Sequence, residues 1–143
     1  IGKKISTDTL YAFDNLIRNA DRGQQKPNLL LGKRDAYVID HEFILSAVDI
    51  QAVRFENYEL DEKYTRYHIF HSYLQKARNK GKRFYFDEFS EYLRRTDFGG
   101  LIPLFDQMRG LGFRVEEEAI LSWLNYVKQN ETKFVNALKG SVQ

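Results

Sequence analysis

The sequence predicts a mainly α-helical fold that contains one small β-hairpin, on the evidence of two periodicities. After Asp61 the chain repeats apolar residues every three or four positions, the spacing that places them on one face of a helix. Two short apolar runs, 28–31 and 36–39, instead have the length of strands, and the polar segment between them suits a tight turn. We therefore expect one hairpin embedded among helices.

The first helix is expected over about Asp8 to Asn19, with Thr7 or Asp8 as its cap. Five apolar residues in and directly after it fall on one face at helical spacing: Leu10, Phe13, Leu16, Ile17 and Ala20. Gly23 and Pro27 mark the polar segment that follows as a loop, which leads into the first strand of the hairpin.

Three polar residues meet at the open end of the predicted hairpin. Asp21 lies in the incoming loop, Asn28 opens the first strand and Asp40 closes the second. Because the strands of a hairpin run antiparallel, these positions should converge on one region. Phosphoryl transfer needs such a set: a carboxylate that orients the attacking hydroxyl, and an amide and a second carboxylate that hold magnesium on the phosphates. Asp and Asn are also ordinary turn residues, so a structural role stays open.

Five helices are predicted in the remainder of the chain. They are one amphipathic helix over 64–77 that stops near Gly81, a short helix capped by Asp87, a helix over 101–108 with Pro103 in its first turn, a helix that follows Glu116, and a last helix around 134–138. The three consecutive glutamates at 116–118 suit a helix N-terminus, where negative charge is favourable.

Composition limits the class of protein. A chain of 143 residues with 43% apolar and 29% charged residues is typical of a single globular domain, 1–143. It contains no cysteine, which excludes disulfides and thiolate metal sites and is typical of a reducing compartment, here the cytoplasm. No apolar run has the length of a transmembrane segment, and no signal peptide is visible. The net charge of +2 gives no argument for a nucleic-acid partner.

Two further groups of residues have both a functional and a structural interpretation. His68 and His71 have the spacing of one helix face, which can bind zinc, but no acidic residue stands between them and no third ligand is evident. Surface or partly buried histidines are therefore the favoured interpretation. Residues 76–83 carry five basic side chains, followed by three aromatic residues. This basic cluster suits contact with phosphate, RNA or an acidic lipid surface, or an ordinary solvated helix end.

Three motifs give the first third of the chain a family resemblance. They are LIRNADR at 16–22, KPNLLL at 26–31 and YVIDH at 37–41. In this order they resemble the C-lobe signature of HipA-like kinases and, less closely, that of type II phosphatidylinositol 4-kinases. The HipA-like similarity is the closer one, because Pro-Asn-Leu-Leu followed by Ile-Asp-His is characteristic of that family. The helical remainder, 61–139, has the general character of a kinase C-lobe.

The resemblance implies a fold, an activity and a set of roles. The fold would be the large lobe of a protein-kinase-like enzyme, and the activity would be ATP-dependent transfer to a protein Ser or Thr hydroxyl. Asp21 would be the catalytic carboxylate that orients or deprotonates this hydroxyl. Asn28 and Asp40 would bind Mg²⁺ and, through it, the phosphates of ATP.

The neighbours of these residues are also given roles by the resemblance. Arg22 would pack or pair beside the catalytic loop, and Asn19 would steady that loop by hydrogen bonds. His41 follows the second Asp as it does in relatives. Glu42 departs from the pattern, because Gly is commoner there, and the departure leaves open how the following segment moves.

A kinase also needs a small lobe with a strand lysine and a loop that covers the phosphates. Only residues 1–6 precede the first helix, so we expect this lobe to lie elsewhere in a longer protein, to come from a separate chain, or to be lacking. The glycine-containing segment 110–112 follows no predicted strand and is interpreted as a helix end. Three functions remain in view: a HipA-like protein kinase lobe, a phosphoinositide-type lipid kinase, and a non-catalytic kinase-like binding module. The acceptor and the oligomeric state stay open.

Overall fold

The computed structural model of this chain describes residues 6–33, 35–42, 44–46 and 60–143. Its helices are α1 (Thr7–Leu16), α2 (Glu62–Thr65), α3 (His71–Asn79), α4 (Asp87–Arg95), α5 (Ile102–Gly110), α6 (Glu117–Gln129) and α7 (Glu131–Ser141), with a short 3-10 helix at Phe98–Leu101. Two strands, β1 (Leu29–Leu31) and β2 (Ala36–Val38), form an antiparallel hairpin. The predicted mainly α fold with one hairpin is therefore confirmed. None of the helices in these residues is long and apolar enough to cross a membrane.

The hairpin pairs Leu29 with Val38 and Leu31 with Ala36. Each strand is one residue shorter than predicted. Strand β1 begins at Leu29 and not at Asn28, because the φ of Asn28, 45°, lies outside the β region. Its carbonyl nevertheless accepts the N–H of Ile39 at 3.1 Å, so the two strand ends stay together as expected.

The face predicted for α1 is confirmed in part, because Leu10, Leu16 and Ile17 are buried whereas Phe13 is 41% exposed and Ala20 is also exposed. The buried surface of the helix extends beyond the predicted face and also includes Tyr11, Asp14 and Asn15. Asn15 is satisfied within the helix, because its side-chain nitrogen donates to the carbonyl of Tyr11 at 2.9 Å. The spacing of apolar residues does not reveal which polar residues of a helix are buried, because those residues are stabilised by hydrogen bonds and not by apolar contact.

The single helix predicted over 64–77 is wrong, because the chain forms two helices, α2 and α3, with a turn between them. In that turn His68 forms an isolated antiparallel bridge with Gly23. The N–H of Ile69 donates to the carbonyl of Arg22 at 2.9 Å. These bonds take up backbone groups that a continuous helix would use itself, so a tertiary contact overrides the helical periodicity.

One local prediction about the later helices is also corrected. Asp87 does not cap α4; it is the first helical residue, and the cap position belongs to Phe86, whose φ is 60°. The helix predicted over 101–108 is present as α5, in which Phe105 is buried while Leu104 and Met108 are exposed.

The core lies between α1, α3, α4, α6 and α7. Its buried rings and aliphatic side chains include Tyr11, Leu74, Phe86, Phe89, Trp123, Val127, Phe134 and Leu138. The indole N–H of Trp123 donates to the carbonyl of Leu16 at 2.7 Å, which satisfies one of the orphan carbonyls at the end of α1. The core therefore fixes the C-terminal end of α1, where the loop that contains Asp21 begins.

Candidate functional site

The candidate site begins at the end of α1. This helix ends at Leu16, three residues earlier than predicted. Arg18 has a φ of 54°, and the N–H of Asn19 donates to the carbonyl of Asp14 at 2.8 Å, which turns the chain out of the helix. The side chain of Asn19 then ties the loop to the helix. Its nitrogen donates to the Asp14 carboxylate at 3.0 Å, and its oxygen accepts the N–H of Asp21 at 3.0 Å. The backbone of Asp21 is thereby anchored to a buried helix.

Asp21 and Asn28 are in direct contact, although seven positions separate them. The side-chain nitrogen of Asn28 lies 3.1 Å from both the backbone carbonyl and the carboxylate Oδ2 of Asp21. The other carboxylate oxygen, Oδ1, lies 4.0 Å from the ammonium of Lys26. The structure therefore brings together the loop residue and the strand residue that the sequence predicted to converge.

Asp40 lies next to Asn28 across the hairpin, since Ile39, the residue before it, is bonded to the carbonyl of Asn28. Asn28 and Asp40 both have left-handed backbones, with φ of 45° and 58°, which Asn and Asp tolerate better than most other side chains. Within the described residues, neither the Asp40 carboxylate nor the Asn28 Oδ1 accepts a hydrogen bond. Both side chains thus offer oxygen atoms, the ligand type that Mg²⁺ prefers.

A buried arginine links this loop, the hairpin and α1. The Arg22 guanidinium donates through Nε to the Asp14 carboxylate and through Nη1 to the carbonyl of Asn28, and its Nη2 lies 3.0 Å from His41 Nε2. The side chains of Arg22 and Asp14 are both fully buried. A buried ion pair offsets the cost of its desolvation only when further hydrogen bonds satisfy both partners, as they do here. Arg22 thus joins α1, the loop and the hairpin through its hydrogen bonds.

His68 completes the hydrogen bonding of Asp14. Its Nε2 lies 2.9 Å from the Asp14 carboxylate, and its Nδ1 accepts the N–H of Phe70 at 3.1 Å. Because Nδ1 is the acceptor, the proton on Nε2 is the one donated to the carboxylate. His71 instead donates to the carbonyl of Ser141 at 2.9 Å. The two histidines do not share a helix face as predicted, since only His71 lies in α3.

Tyr11 packs against the same network. Its ring meets the His68 ring edge-on at a centroid distance of 5.0 Å, and its hydroxyl is hydrogen-bonded to Ser141 Oγ at 2.8 Å. Burial raises the pKa of Tyr11 from 10.0 to about 12, and the bond to Ser141 lowers it only in part. The unfolded chain therefore loses this proton at lower pH than the folded chain. The resulting stability is complete below pH 10 and is lost as the pH rises toward 12, a change of roughly 3 kcal/mol.

We expect Tyr11→Phe to reduce the alkaline loss of stability, because the variant has no phenol to deprotonate at this position. Between pH 10 and 11.5 the wild-type chain should lose roughly 1–2 kcal/mol more than the variant. Urea unfolding at each pH measures the difference. Tyr85→Phe, which changes a half-exposed ring, is the control and should follow the wild-type curve. Parallel curves for wild type and Tyr11→Phe would contradict the assignment.

Among the described residues, Asp21 lines two neighbouring clefts. The larger, of about 630 Å³, also has Arg18 and Lys63 in its wall. The smaller, of about 480 Å³, has Lys26 and Arg66. Arg18 is held in place by the Tyr64 ring, whose centroid is 4.3 Å from the guanidinium carbon. Each cleft therefore combines the candidate catalytic carboxylate with basic side chains, which suits a ligand with negatively charged groups.

Glu42, where the resemblance led us to expect Gly, lies in the wall of the larger cleft. Its φ is not positive, so a side chain at this position causes no backbone strain. The segment whose movement was expected to depend on this residue falls largely outside the described residues, which omit Phe43 and 47–59.

Sequence reasoning missed Asp14 and gave His68 no part in the site. One signal for Asp14 was present, because a carboxylate in the middle of an apolar helix must find a partner if it is buried. Its partners Arg22 and His68 lie 8 and 54 positions further along the chain, and the sequence pattern identifies neither of them as a partner.

Comparisons of this chain with profiles of known protein families, with curated proteins and with solved structures find no match. The features of this chain that bear on function are its fold, the geometry around Asp21 and the three motifs that carry the family resemblance.

Proposed function

We propose that this chain is the large lobe of an ATP- and magnesium-dependent phosphotransferase of the HipA-like type, with a protein Ser or Thr hydroxyl as the acceptor. The observation that carries the proposal is the direct contact of Asp21 with Asn28, which itself lies beside Asp40 across the hairpin. A carboxylate, an amide and a second carboxylate in this relation are the groups that phosphoryl transfer requires.

The side chains present fit a magnesium ion. Mg²⁺ takes oxygen ligands, keeps several of its waters, and is usually held by one or two carboxylates together with substrate phosphates. Asp40 offers a carboxylate, and Asn28 offers its amide oxygen because its nitrogen is committed to Asp21. The described residues contain no group of three or more His, Cys, Asp or Glu side chains around one point. The proposal accordingly assigns the remaining ligand positions to phosphate oxygens and water.

Each residue of the site would act in a different way. When bound, the metal supplies charge neutralisation on the phosphates. Asp21 would accept the proton of the attacking hydroxyl, and the hydrogen bond from Asn28 sets the orientation of its carboxylate. Arg18 and Lys63 in the larger cleft would attract the phosphate groups. Arg22 is a positioning residue, because it lies in the loop and donates a hydrogen bond to the carbonyl of Asn28 at the start of the hairpin.

The outer face of the hairpin supports the proposal that a further lobe grips the nucleotide. Leu30 and Tyr37 are paired across the strands and are 55% and 60% exposed. Leu31, which follows Leu30 and lies on the opposite face of the hairpin, is 77% exposed, so both faces present apolar side chains. An apolar surface of this kind next to charged groups suits an adenine ring or a second lobe that completes the nucleotide site.

One observation favours a second candidate, a non-catalytic binding module that keeps the kinase-like lobe. Among the described residues, the Asn28 amide nitrogen donates only to the backbone carbonyl and the carboxylate of Asp21, which is also what a purely structural turn would show. Magnesium-dependent nucleotide binding separates the two candidates. Phosphate transfer to protein or to lipid would in turn separate a protein kinase from a phosphoinositide-type lipid kinase.

We expect Asp40→Ala to weaken magnesium-dependent ATP binding by at least about tenfold, because even outer partners of metal ligands contribute this much to affinity. Calorimetry with Mg²⁺ and ATP measures the affinity, and Mn²⁺ in place of Mg²⁺ should broaden the amide NMR signals of residues 28 and 40. Asp35→Ala removes the same charge from the exposed turn of the same hairpin and should have no effect. Equal affinity in Asp40→Ala and wild type would remove Asp40 from the metal site.

A further inference from the structure

A second positively charged region lies between the ends of α3 and α7. It is a pocket of about 290 Å³ lined by the side chains of Arg78, Lys82, Arg83 and Lys139 and by the ring of Tyr85, and it is termed the basic pocket below. None of the residues that line it lines either cleft beside Asp21. The proposed phosphotransferase site therefore makes no use of this charge.

The basic pocket has few carboxylates to balance its charge. Residues 63–86 contain seven basic residues and no Asp or Glu, and residues 132–143 contain two basic residues and no acidic one. The described arginines outside the pocket each lie within 4 Å of a carboxylate: Arg18, Arg22, Arg66, Arg94, Arg95, Arg109 and Arg114. Arg78 and Arg83 form no ion pair with any described residue. Arginine pairing is the general pattern in this chain, and the basic pocket departs from it.

Helix ends explain only part of this positive charge. Helix α3 ends at Asn79 and α7 ends at Ser141, and the C-terminus of a helix carries about half a negative charge. Two such ends amount to about −1, against +4 from the two arginines and two lysines of the pocket. If Gln143 carried a free C-terminal carboxylate, the net charge of the pocket would still be about +2. The surplus suits an external anion.

The side chains of the pocket match phosphate in particular. A guanidinium group binds a phosphate through two parallel hydrogen bonds, and both arginines are exposed. The ammonium groups of Lys82 and Lys139 lie over aromatic rings, at 4.9 Å from the Phe84 centroid and 5.7 Å from the Tyr85 centroid. These contacts hold the two lysines near the arginines.

The size of the pocket points to a compact ligand. Small-molecule sites usually measure about 300–1,000 Å³, so this one is at the lower limit and does not suit an extended strand. We propose that the basic pocket binds a compact organic phosphate that carries two or more phosphate groups, either a soluble molecule or the headgroup of a phosphorylated lipid. This inference does not depend on the proposed phosphotransferase activity.

The test uses two probes with the same headgroup chemistry. Inositol trisphosphate, measured by calorimetry, represents the soluble source, and phosphatidylcholine vesicles that contain phosphatidylinositol bisphosphate, measured by co-sedimentation, represent the lipid source. The double variant Arg78→Gln with Arg83→Gln should weaken binding by about tenfold or more, because a hydrogen bond to a charged group contributes about this factor. Both side chains are exposed, so the melting temperature should stay unchanged.

The matched control is Arg95→Gln with Arg114→Gln, which removes the same charge from two exposed arginines that are paired with Glu91 and Glu116. Its affinity should stay within about twofold of wild type, since distant surface charges are screened by salt. Binding of the trisphosphate without binding of the vesicles identifies a soluble ligand, and binding of the vesicles identifies a lipid headgroup. No binding of either probe, or an equal loss in the control, overturns the proposal. Asp40→Ala should leave this binding intact, so the two proposals fail separately.

Discussion

Arg22→Ala should lower the free energy of unfolding by about 3–5 kcal/mol, because it leaves the Asp14 carboxylate charged and buried without its main partner. The same change removes the donor to the carbonyl of Asn28 and the contact with His41. Urea unfolding followed by circular dichroism measures the loss. This is the largest stability effect that we expect from a single substitution in the loop.

Two variants distinguish the network from the charge alone. Arg66→Ala removes an arginine whose ion pair with Glu62 is exposed, and it should cost less than about 1 kcal/mol. Arg22→Lys keeps the positive charge but lacks the fork of donors that reaches Asp14, Asn28 and His41 together, so it should recover only part of the stability. A loss below about 1 kcal/mol in Arg22→Ala would show that the network does not hold the loop.

Asp21→Asn should reduce phosphate transfer by about 10²–10⁴-fold, the usual contribution of a general acid or base. The fold should be preserved, because the amide oxygen of the new side chain can still accept the bond from Asn28. The measurement is transfer of radiolabelled phosphate from ATP to protein and, separately, to lipid. It is made on a polypeptide that contains the nucleotide-gripping lobe or is supplied with it.

The control for this experiment is Asp35→Asn, which changes an exposed carboxylate in the hairpin turn and should transfer at the wild-type rate. If Asp21→Asn is as active as wild type, Asp21 has no part in the chemistry. If neither protein transfers phosphate and neither binds magnesium with ATP, the chain is better described as a non-catalytic binding module.

A good part of the candidate site could be predicted from the sequence. The hairpin, and the approach of Asp21 and Asp40 to Asn28, follow from local rules: short apolar runs form strands, and an antiparallel pair brings its open ends together. Both effects depend on residues within about twenty positions of each other. The same local rules did not predict that Asp14 and Asn15 in α1 are buried, because both residues are polar.

The pattern of residues was enough to predict the helical class of this protein, its hairpin and the residues that meet at the open end of the hairpin. The buried pair of Arg22 and Asp14, which His68 joins, depends on tertiary packing. So does the break in the helix predicted after Asp61, whose turn pairs with the loop at Gly23. A buried charge or an unpaired backbone group is satisfied by whichever partner the fold brings close, and a partner that is distant along the chain leaves no periodic signal in the sequence.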